Sequence, residues 1–281
     1  MPKREVDMVV LSDVHLGTYG CHATELLQYL KSIRPKAIVM NGDIIDIWQF
    51  SKRYWPTTHM MVVNHLISMV SNEIPVFYIP GNHDEMLRRF KGFQLGSLKI
   101  TNKLSIKLNE SKVWIFHGDV FDVVMQNSRW LARLGAIGYD ALILINRMAN
   151  FLALKMGYGN LSISKRVKNA VKGAVKFIND FENTVCCLAS ENKYNFVICG
   201  HIHHPEIKDV VTKNGVVTYM NSGDWIENLT ALEYNDSKWT IYRYSEDTVA
   251  QGIKIDKKRS VGDSPKEMLE SLILELKINQ N

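Results

Sequence analysis

Metal-binding residue types recur in five short blocks along this chain of 281 residues. The blocks are Asp13-Val14-His15, Gly42-Asp43, Gly81-Asn82-His83-Asp84, His117-Gly118-Asp119 and Gly200-His201-Ile202-His203. Carboxylate, amide and imidazole groups bind divalent first-row metals. Together the blocks supply seven such ligands, which suits a centre of two metal ions. Two metal ions side by side are suited to the hydrolysis of phosphate esters, so we take that as the leading hypothesis.

Each block follows an apolar stretch that we interpret as a strand. The carboxyl ends of neighbouring strands meet at one edge of a sheet, so the blocks are expected to come together there. The five strands are predicted at Val6–Leu11, Ala37–Met40, Val76–Ile79, Val113–Phe116 and Phe196–Cys199.

Spacing suggests how some of these side chains converge. Asp13 and His15 are two residues apart, so on an extended segment both point the same way and can meet one metal. His201 and His203 repeat this spacing, and Gly200 is expected to let the backbone turn. Asp43 follows a strand and its carboxylate can bridge two metals, although an aspartate in a loop turn is the alternative.

The third block offers both a ligand and an acid. Asn82 presents a neutral carbonyl oxygen, and His83 is placed to donate a proton to a leaving group. Asp84 is predicted to orient His83, with a helix-capping role as the alternative. Asp46 is either a partner of a site residue or a helix cap. For His117, taken alone, a half-buried structural histidine is the alternative.

The chain divides into a core in two parts and a helical insert. Strands alternate with helices at Thr24–Ile33 and Thr57–Ser71, which predicts an α/β layered core. Residues 1–120 are the first part of this core and 191–245 the second. Residues 121–190 have helical periodicity and form the insert. Residues 246–281 are interpreted as a linker and a C-terminal helix that begins near Ser264 with a capping box.

The positive charge is concentrated in the insert. The whole chain has 34 basic and 29 acidic residues, a net charge of +5. Residues 121–190 hold nine basic and four acidic residues, which is the same excess. The core is therefore neutral as a whole and has no extended basic and aromatic stripe, so no nucleic-acid partner is expected.

The sequence favours a cytoplasmic protein. The N-terminal residues lack the pattern of a signal peptide, and the four cysteines have no spacing typical of a disulfide framework. The longest apolar region, Leu134 to Met156, contains Asp140 and Arg147, which argues against a transmembrane helix. A helix lying on the inner surface of the membrane remains open.

The five blocks, in this order, resemble the calcineurin-like metallophosphoesterase superfamily. The resemblance covers residues 6–225, including the turn Asn221-Ser222-Gly223-Asp224-Trp225. It implies an α/β (α+β) fold, a four-layer β-sandwich flanked by helices, with a helical lid insert. It also implies two divalent ions, usually manganese, with iron or zinc as alternatives. One ion is expected on Asp13, His15, Asp43 and His203, and the other on Asp43, Asn82, His117 and His201.

The same resemblance implies a mechanism. Two metals bridged by Asp43 would bind the phosphoryl oxygens and lower the pKa of a bridging water, and the hydroxide would attack phosphorus, while His83, oriented by Asp84, would protonate or stabilise the departing oxygen.

Within that superfamily the layout is most similar to the UDP-2,3-diacylglucosamine diphosphatase family of lipid A synthesis. His117-Gly118-Asp119 opens into a helical insert that returns to Gly200-His201-Ile202-His203. The resemblance implies a lid over a UDP-linked acylated sugar. An anionic membrane surface is a further possible partner. The best-known branch of that family has arginine where this chain has His83. The insert residues that could contact a diphosphate or lipid headgroups are Lys165, Arg166, Lys168 and Lys172.

Three other functions stay open on the residues alone. A phosphodiesterase or phosphatase acting on a soluble nucleotide needs the same metal ligands. A non-catalytic scaffold on this fold is disfavoured because the ligand set is complete. A nuclease is disfavoured by the neutral core.

Overall fold

The computed structural model of the protein describes residues 3–47, 54–124 and 164–255. Within these ranges the longer helices are α1 (Ala23–Ser32), α2 (Thr57–Ser71) and α4 (Ser164–Glu191), and the short ones are α3 (Phe121–Val124) and α5 (Thr248–Gln251). The strands are β1 (Arg4–Val6), β2 (Met8–Leu11), β3 (Ile33–Pro35), β4 (Ile38–Asn41), β5 (Val76–Ile79), β6 (Gln94–Leu95), β7 (Leu98–Ile100), β8 (Leu104–Leu108), β9 (Ser111–Ile115), β10 (Phe196–Cys199), β11 (Glu206–Thr212), β12 (Gly215–Asn221), β13 (Thr230–Asn235) and β14 (Lys238–Arg243).

Two large sheets carry the fold. The seven-stranded sheet has the order β14-β13-β2-β4-β5-β7-β6, and the five-stranded sheet has the order β11-β12-β10-β9-β8. Strands β2, β4, β5 and β7 are parallel, and so are β9, β10 and β12. Antiparallel strands close the edges of both sheets. A separate two-stranded sheet pairs β1 with β3.

The two large sheets pack face to face with helices outside both. Val10 and Val39 of the first sheet lie in one buried cluster with Ile198 of the second. The opposite face of the first sheet, for example Val9, packs against α1 and α2. The central strands are buried on both faces, which explains why Met8–Leu11 is apolar at every position.

Helix α4 covers the outer face of the five-stranded sheet. Phe181, Val185 and Ala189 are buried in one cluster with Val197 and Tyr219. The architecture is therefore helix, sheet, sheet, helix, which confirms the predicted four-layer sandwich. The predicted insert of residues 121–190 contributes the end of this helix to the core. The apolar stripe that indicated a helix is the face that meets the sheet.

Two local expectations differ from the structure. The strand predicted at Val6–Leu11 breaks at Asp7, whose carboxylate accepts a bond from Lys36 Nζ at 2.6 Å. The linker predicted from residue 246 instead begins with α5, where Asp247 Oδ1 accepts from Ala250 N at 2.8 Å. Ala250 is buried, so this segment belongs to the folded core. The apolar region Leu134–Met156 and the predicted C-terminal helix lie outside the described residues.

No helix in the described part of the chain combines the length and the apolar character needed to cross a membrane. All four cysteines are in the described part and are free thiols.

Asn41 links the two large sheets at the edge where the polar blocks lie. Its side-chain Nδ2 donates to the Phe116 backbone carbonyl at 3.1 Å, and the Asn41 backbone carbonyl oxygen lies 2.8 Å from Nδ1 of His117. We expect Asn41→Ala to lower the free energy of unfolding by about 1–3 kcal/mol, because the buried Phe116 carbonyl loses its side-chain donor. Denaturant unfolding of the metal-free protein measures this. The control Asn235→Ala, which removes only a surface bond to Asp236, should change stability by less than about 0.5 kcal/mol. Equal effects of the two substitutions would contradict the assignment.

Candidate metal centre

The five polar blocks meet at one end of the sandwich. The first three follow the parallel strands β2, β4 and β5, and the last two follow β9 and β10 in the facing sheet. Backbone-to-carboxylate hydrogen bonds hold neighbouring blocks together. The backbone N–H of His201 donates to Asp13 Oδ2 at 3.0 Å, and the N–H of His83 donates to Asp43 Oδ1 at 2.8 Å. Residues far apart in sequence therefore share one small volume.

Among the described residues, three groups of three side chains could each hold an ion. Two consist of predicted ligands alone, and the third, His15, Asp43 and His83, joins the predicted proton donor to one member of each. In each group the ligand atoms lie within 4.8 Å of one another, which is close enough to hold one ion. The first group is Asp13, His15 and His203, and the second is Asp43, His117 and His201.

Asp43 stands between the two groups. Its Oδ2 lies 3.3 Å from Nε2 of His117 and 4.0 Å from Nε2 of His15. In the first group, Nε2 of His203 lies 3.1 Å from Asp13 Oδ1. Two neighbouring ligands bonded at about 2.1 Å to one ion lie about 3–3.4 Å apart, so the 3.3 Å and 3.1 Å separations fit shared coordination, while the 4.0 Å separation from His15 is longer. The position of Asp43 suits a bridging carboxylate.

The hydrogen bonding of the ligand atoms is a second observation that fits metal binding. Among the described residues, four buried ligand atoms of this centre have no well-directed hydrogen bond, although buried polar atoms normally do. They are Asp13 Oδ1, His15 Nε2, Asn82 Oδ1 and His117 Nε2. Each belongs to a predicted ligand, and nitrogen and oxygen donors of this kind suit manganese, iron or zinc.

Electrostatics hold the metal-free centre in a paired state. Burial alone would lower the pKa of His117, but the carboxylate of Asp43 outweighs it and raises that pKa to about 10. His203 is affected in the same way by Asp13, which raises its pKa to about 9. Burial would raise the pKa of Asp13, but the neighbouring histidines, first His203, hold it below its usual value. A divalent ion would replace these protons as the compensating positive charge.

The backbone at the ligand residues is not extended, as the spacing of two had suggested. Asp13, His15 and Asp43 have φ of 51°, 53° and 54°, and His201 and His203 have φ of 68° and 51°. These residues are left-handed rather than extended, so alternation along a strand does not aim the side chains. His201 and His203 fall in different groups, which agrees with their expected assignment to two different ions, so their spacing of two does not bring them to one metal. Aspartate and histidine tolerate this conformation better than most residues.

Glycines at the centre are required by close approach. A Cβ on Gly81 would lie 2.2 Å from Asp43 Oδ1 and 2.7 Å from Nε2 of His117. A Cβ on Gly200 would lie 2.6 Å from Asp13 Oδ2. Gly200 was expected to provide a turn. The chain does turn there, with Ile202 N–H donating to the Gly200 carbonyl at 2.8 Å, and the missing side chain also lets the backbone approach a ligand carboxylate.

Asp46, rather than Asp84, contacts the predicted proton donor. Nδ1 of His83 lies 3.0 Å from Asp46 Oδ2, and the His83 side chain is 37% exposed. The Asp84 carboxylate instead accepts from Tyr78 Oη at 2.5 Å and from Gly81 N at 2.6 Å. Burial raises the pKa of Asp84. Asp84 therefore clamps the turn, and its predicted role in orienting His83 is wrong.

Two further carboxylates, which sequence reasoning missed, contact ligand histidines. Nε2 of His201 lies 3.0 Å from Asp122 Oδ1, and Nδ1 of His203 lies 3.9 Å from Asp224 Oδ2. Carboxylates beside ligand histidines fix the ring orientation and its tautomer. The sequence signal for Asp122 is weak, because it lies five residues beyond His117 with no motif of its own. Asp224 lies in the turn that ends β12.

A cavity of about 230 Å³ opens beside His117. Its lining includes Arg88, Lys103, Trp114 and Asp119. The predicted substrate contacts Lys165, Arg166, Lys168 and Lys172 lie in α4, but their side chains are outside the described part of the structure.

The chain is similar to known phosphoesterases. The family model described as calcineurin-like phosphoesterase matches residues 7–205. A UDP-2,3-diacylglucosamine hydrolase of Blochmanniella pennsylvanica is 26% identical over 82% of this chain and 93% of its own length. The hydrolase of the same name from Aliivibrio fischeri is 21% identical over 84% and 98%.

Among solved structures, a novel archaeal phosphodiesterase aligns with a TM-score of 0.40 and 12% identity, covering 84% of this chain and 98% of that one. The family match spans most of the chain and includes every predicted metal ligand. This chain therefore belongs to the calcineurin-like phosphoesterase family and is a phosphoesterase.

Proposed function

We propose that the protein is a two-metal diphosphatase that cleaves a UDP-linked, acylated sugar into UMP and the lipid sugar 1-phosphate. The observation that carries the catalytic part is the pair of adjacent ligand groups with the Asp43 carboxylate between them, 3.3 Å from His117 and 4.0 Å from His15. The substrate part is supported by relatives named UDP-2,3-diacylglucosamine hydrolase that cover most of the chain. The positive charge of residues 121–190 suits an anionic diphosphate.

In this proposal Asp13, His15, Asp43 and His203 hold one ion, and Asp43, Asn82, His117 and His201 hold the other. Such a pair supplies an activated water and neutralises the charge that develops on the phosphoryl group. We propose manganese as the physiological metal. Asp122 keeps the His201 ring in place through Nε2, and Asp224, 3.9 Å from Nδ1 of His203, adds a negative charge beside that ring.

His83 is the proposed proton donor to the leaving oxygen. Its ring is partly exposed, borders the ring of His15 at a centroid distance of 4.5 Å, and is held by Asp46. The Asp46 carboxylate accepts from Nδ1–H, so Nε2 is the nitrogen left to face the substrate, and in the imidazolium form it carries the proton that would be donated. Asp46 therefore acts as a positioning residue.

The proposed cellular site is the cytoplasmic face of the membrane, where an acylated substrate resides. Lys165, Arg166, Lys168 and Lys172 remain the proposed contacts for the diphosphate or for lipid headgroups. The apolar part of the insert remains the proposed cover for the acyl chains.

Substrate comparison tests this function directly. Manganese-loaded protein is assayed on UDP-2,3-diacylglucosamine, UDP-glucose, common nucleotides and bis(4-nitrophenyl) phosphate. We expect a strong preference for the acylated substrate, with release of UMP. Equal or better turnover of a soluble nucleotide would overturn the lipid assignment and favour a soluble-nucleotide phosphodiesterase.

Removing the shared carboxylate tests the metal pair. We expect Asp43→Ala to reduce kcat/KM by at least about a thousandfold, because both groups lose a ligand and charge stabilisation worth several kcal/mol. Elemental analysis should show less bound metal than in the wild type. The control Asp209→Ala removes an exposed carboxylate that accepts a hydrogen bond from the Thr218 hydroxyl, and it should keep full activity. A fully active, folded Asp43→Ala protein would refute the two-metal assignment.

Leaving-group dependence tests the role of His83. We expect His83→Ala to slow hydrolysis about 10²–10⁴-fold for esters with poor leaving groups. The loss should be much smaller for 4-nitrophenyl esters, whose leaving oxygen needs no proton. Asp46→Asn should show the same trend with a smaller loss. Asp84→Asn should instead lower thermal stability, since it disturbs the bonds from Tyr78 and Gly81. Loss that is independent of the leaving group would exclude proton donation.

Metal binding should release protons. With pKa values near 10 and 9, His117 and His203 are protonated in the metal-free protein at pH 7.5. Manganese binding should therefore displace about two protons, and the affinity should rise with pH up to those values. Calorimetric titration in buffers of different ionisation enthalpy counts the protons. The exposed His204 is a control, and His204→Gln should leave the count unchanged. Binding without proton release would contradict the paired metal-free state.

A further inference from the structure

A surface beside the metal centre combines exposed apolar and basic side chains. It consists of the 3-10 helix Glu85–Phe90, the turn after it and strand β6, and we name residues 85–96 the docking surface. Four large apolar side chains are exposed on it, namely Met86 at 44%, Phe90 at 49%, Phe93 at 49% and Leu95 at 62%. Contiguous exposed apolar side chains of this size mark interaction sites.

The docking surface is a fixed structure. Phe93 N–H donates to the Phe90 carbonyl at 2.9 Å, so the two rings flank one tight turn. Ile100 N–H donates to the Phe93 carbonyl at 3.0 Å, and β6 pairs with β7 at the edge of the seven-stranded sheet. Leu87, from the same 3-10 helix, packs against the core. The apolar residues are therefore held outward by the fold.

The charges of the docking surface are predominantly positive. Arg89 and Lys91 are exposed between the apolar residues and form no ion pair with any described residue. Lys99 is exposed on the adjacent strand β7. Glu85 is the one acidic residue in the segment 85–96. Interleaved basic and aromatic side chains suit an anionic lipid surface, where the rings enter the headgroup boundary and the cations meet phosphates.

We propose that the docking surface binds the face of an anionic phospholipid bilayer. Phe90 and Phe93 enter the headgroup boundary, and Arg89 and Lys91 contact lipid phosphates. This contact does not require the proposed substrate. It deepens the proposed function by naming the bilayer as the place from which an acylated substrate reaches the centre.

The geometry places the metal centre near such a bilayer. The 3-10 helix starts directly after Asp84, and six residues of this helix type span about 12 Å. Arg88 of the same helix donates to both carboxylate oxygens of Asp119, at 2.8 and 2.6 Å. Asp119 follows the ligand His117 by two residues. The helix that presents Phe90 to the bilayer therefore follows one ligand block directly and is tied to another through Arg88.

Vesicle binding tests the proposal. Full-length, manganese-loaded protein is mixed with vesicles of phosphatidylcholine alone or with phosphatidylglycerol added, and the bound fraction is measured by flotation. We expect binding to the anionic vesicles that falls at least about tenfold in Phe90→Ser/Phe93→Ser, because two apolar side chains no longer leave water. Arg89→Gln/Lys91→Gln should weaken binding to anionic vesicles and reduce its dependence on salt.

Matched controls separate this surface from general exposure. Val211 and Val216 are 82% and 57% exposed on the hairpin of β11 and β12, so Val211→Ser/Val216→Ser removes two apolar side chains elsewhere. Lys213→Gln/Lys238→Gln removes two exposed charges elsewhere. Both controls should bind vesicles like the wild type. Hydrolysis of bis(4-nitrophenyl) phosphate should be unchanged in all four variants, which shows that each is folded and loaded with metal.

Three outcomes would overturn the proposal. These outcomes are a wild type that fails to bind anionic vesicles, a phenylalanine variant that binds normally, or equal losses in the controls. A change of oligomeric state in the phenylalanine variant, with vesicle binding intact, would assign the surface to a protein partner instead. Activity on the soluble diester is read separately, so failure of the metal centre and failure of the docking surface are distinguishable.

Discussion

The structure depends on placing several ionisable side chains out of water without leaving a charge unpaired. Asp13 and Asp43 are almost fully buried, and each lies against an imidazole whose pKa it raises. Burying an unpaired carboxylate is costly, so each must have a cation beside it, either a protonated histidine or a metal ion. The two sheets supply opposite halves of this arrangement. Their packing is therefore constrained by charge at one end and by apolar contacts everywhere else.

Much of the fold could be predicted because its central strands are short apolar runs that end where polar ligands begin. Val76–Ile79 and Thr57–Ser71 have the predicted bounds, since burial on both faces or on one helical face leaves a clear pattern. The break at Asp7 and the helix at Thr248–Gln251 were not predicted. Both depend on single polar contacts with distant or capping groups, and such contacts leave no periodic signal.

The residues of the candidate site could be named from the sequence, but the reasons for their placement could not. Spacing of two suggested extended segments, whereas the backbone turns left-handed at Asp13 and His201. Adjacency suggested Asp84 as the partner of His83, but the sheet order brings Asp46 there instead. Asp122 was missed because its contact with His201 spans 79 residues. Residue type predicts chemistry well, while pairing between distant side chains is a property of tertiary structure.

The left-handed backbone at the ligand positions restricts which substitutions this protein can accept there during evolution. Glutamate offers the same carboxylate chemistry as aspartate, and cysteine binds many of the same metals as histidine. Neither residue is among those enriched at positive φ, so the main chain resists exchanges that coordination chemistry alone would accept. Gly81 and Gly200 add a further restriction, because any side chain there would collide with a ligand. Descendants of this sequence can therefore change substrate in the insert far more freely than they can change the ligand set.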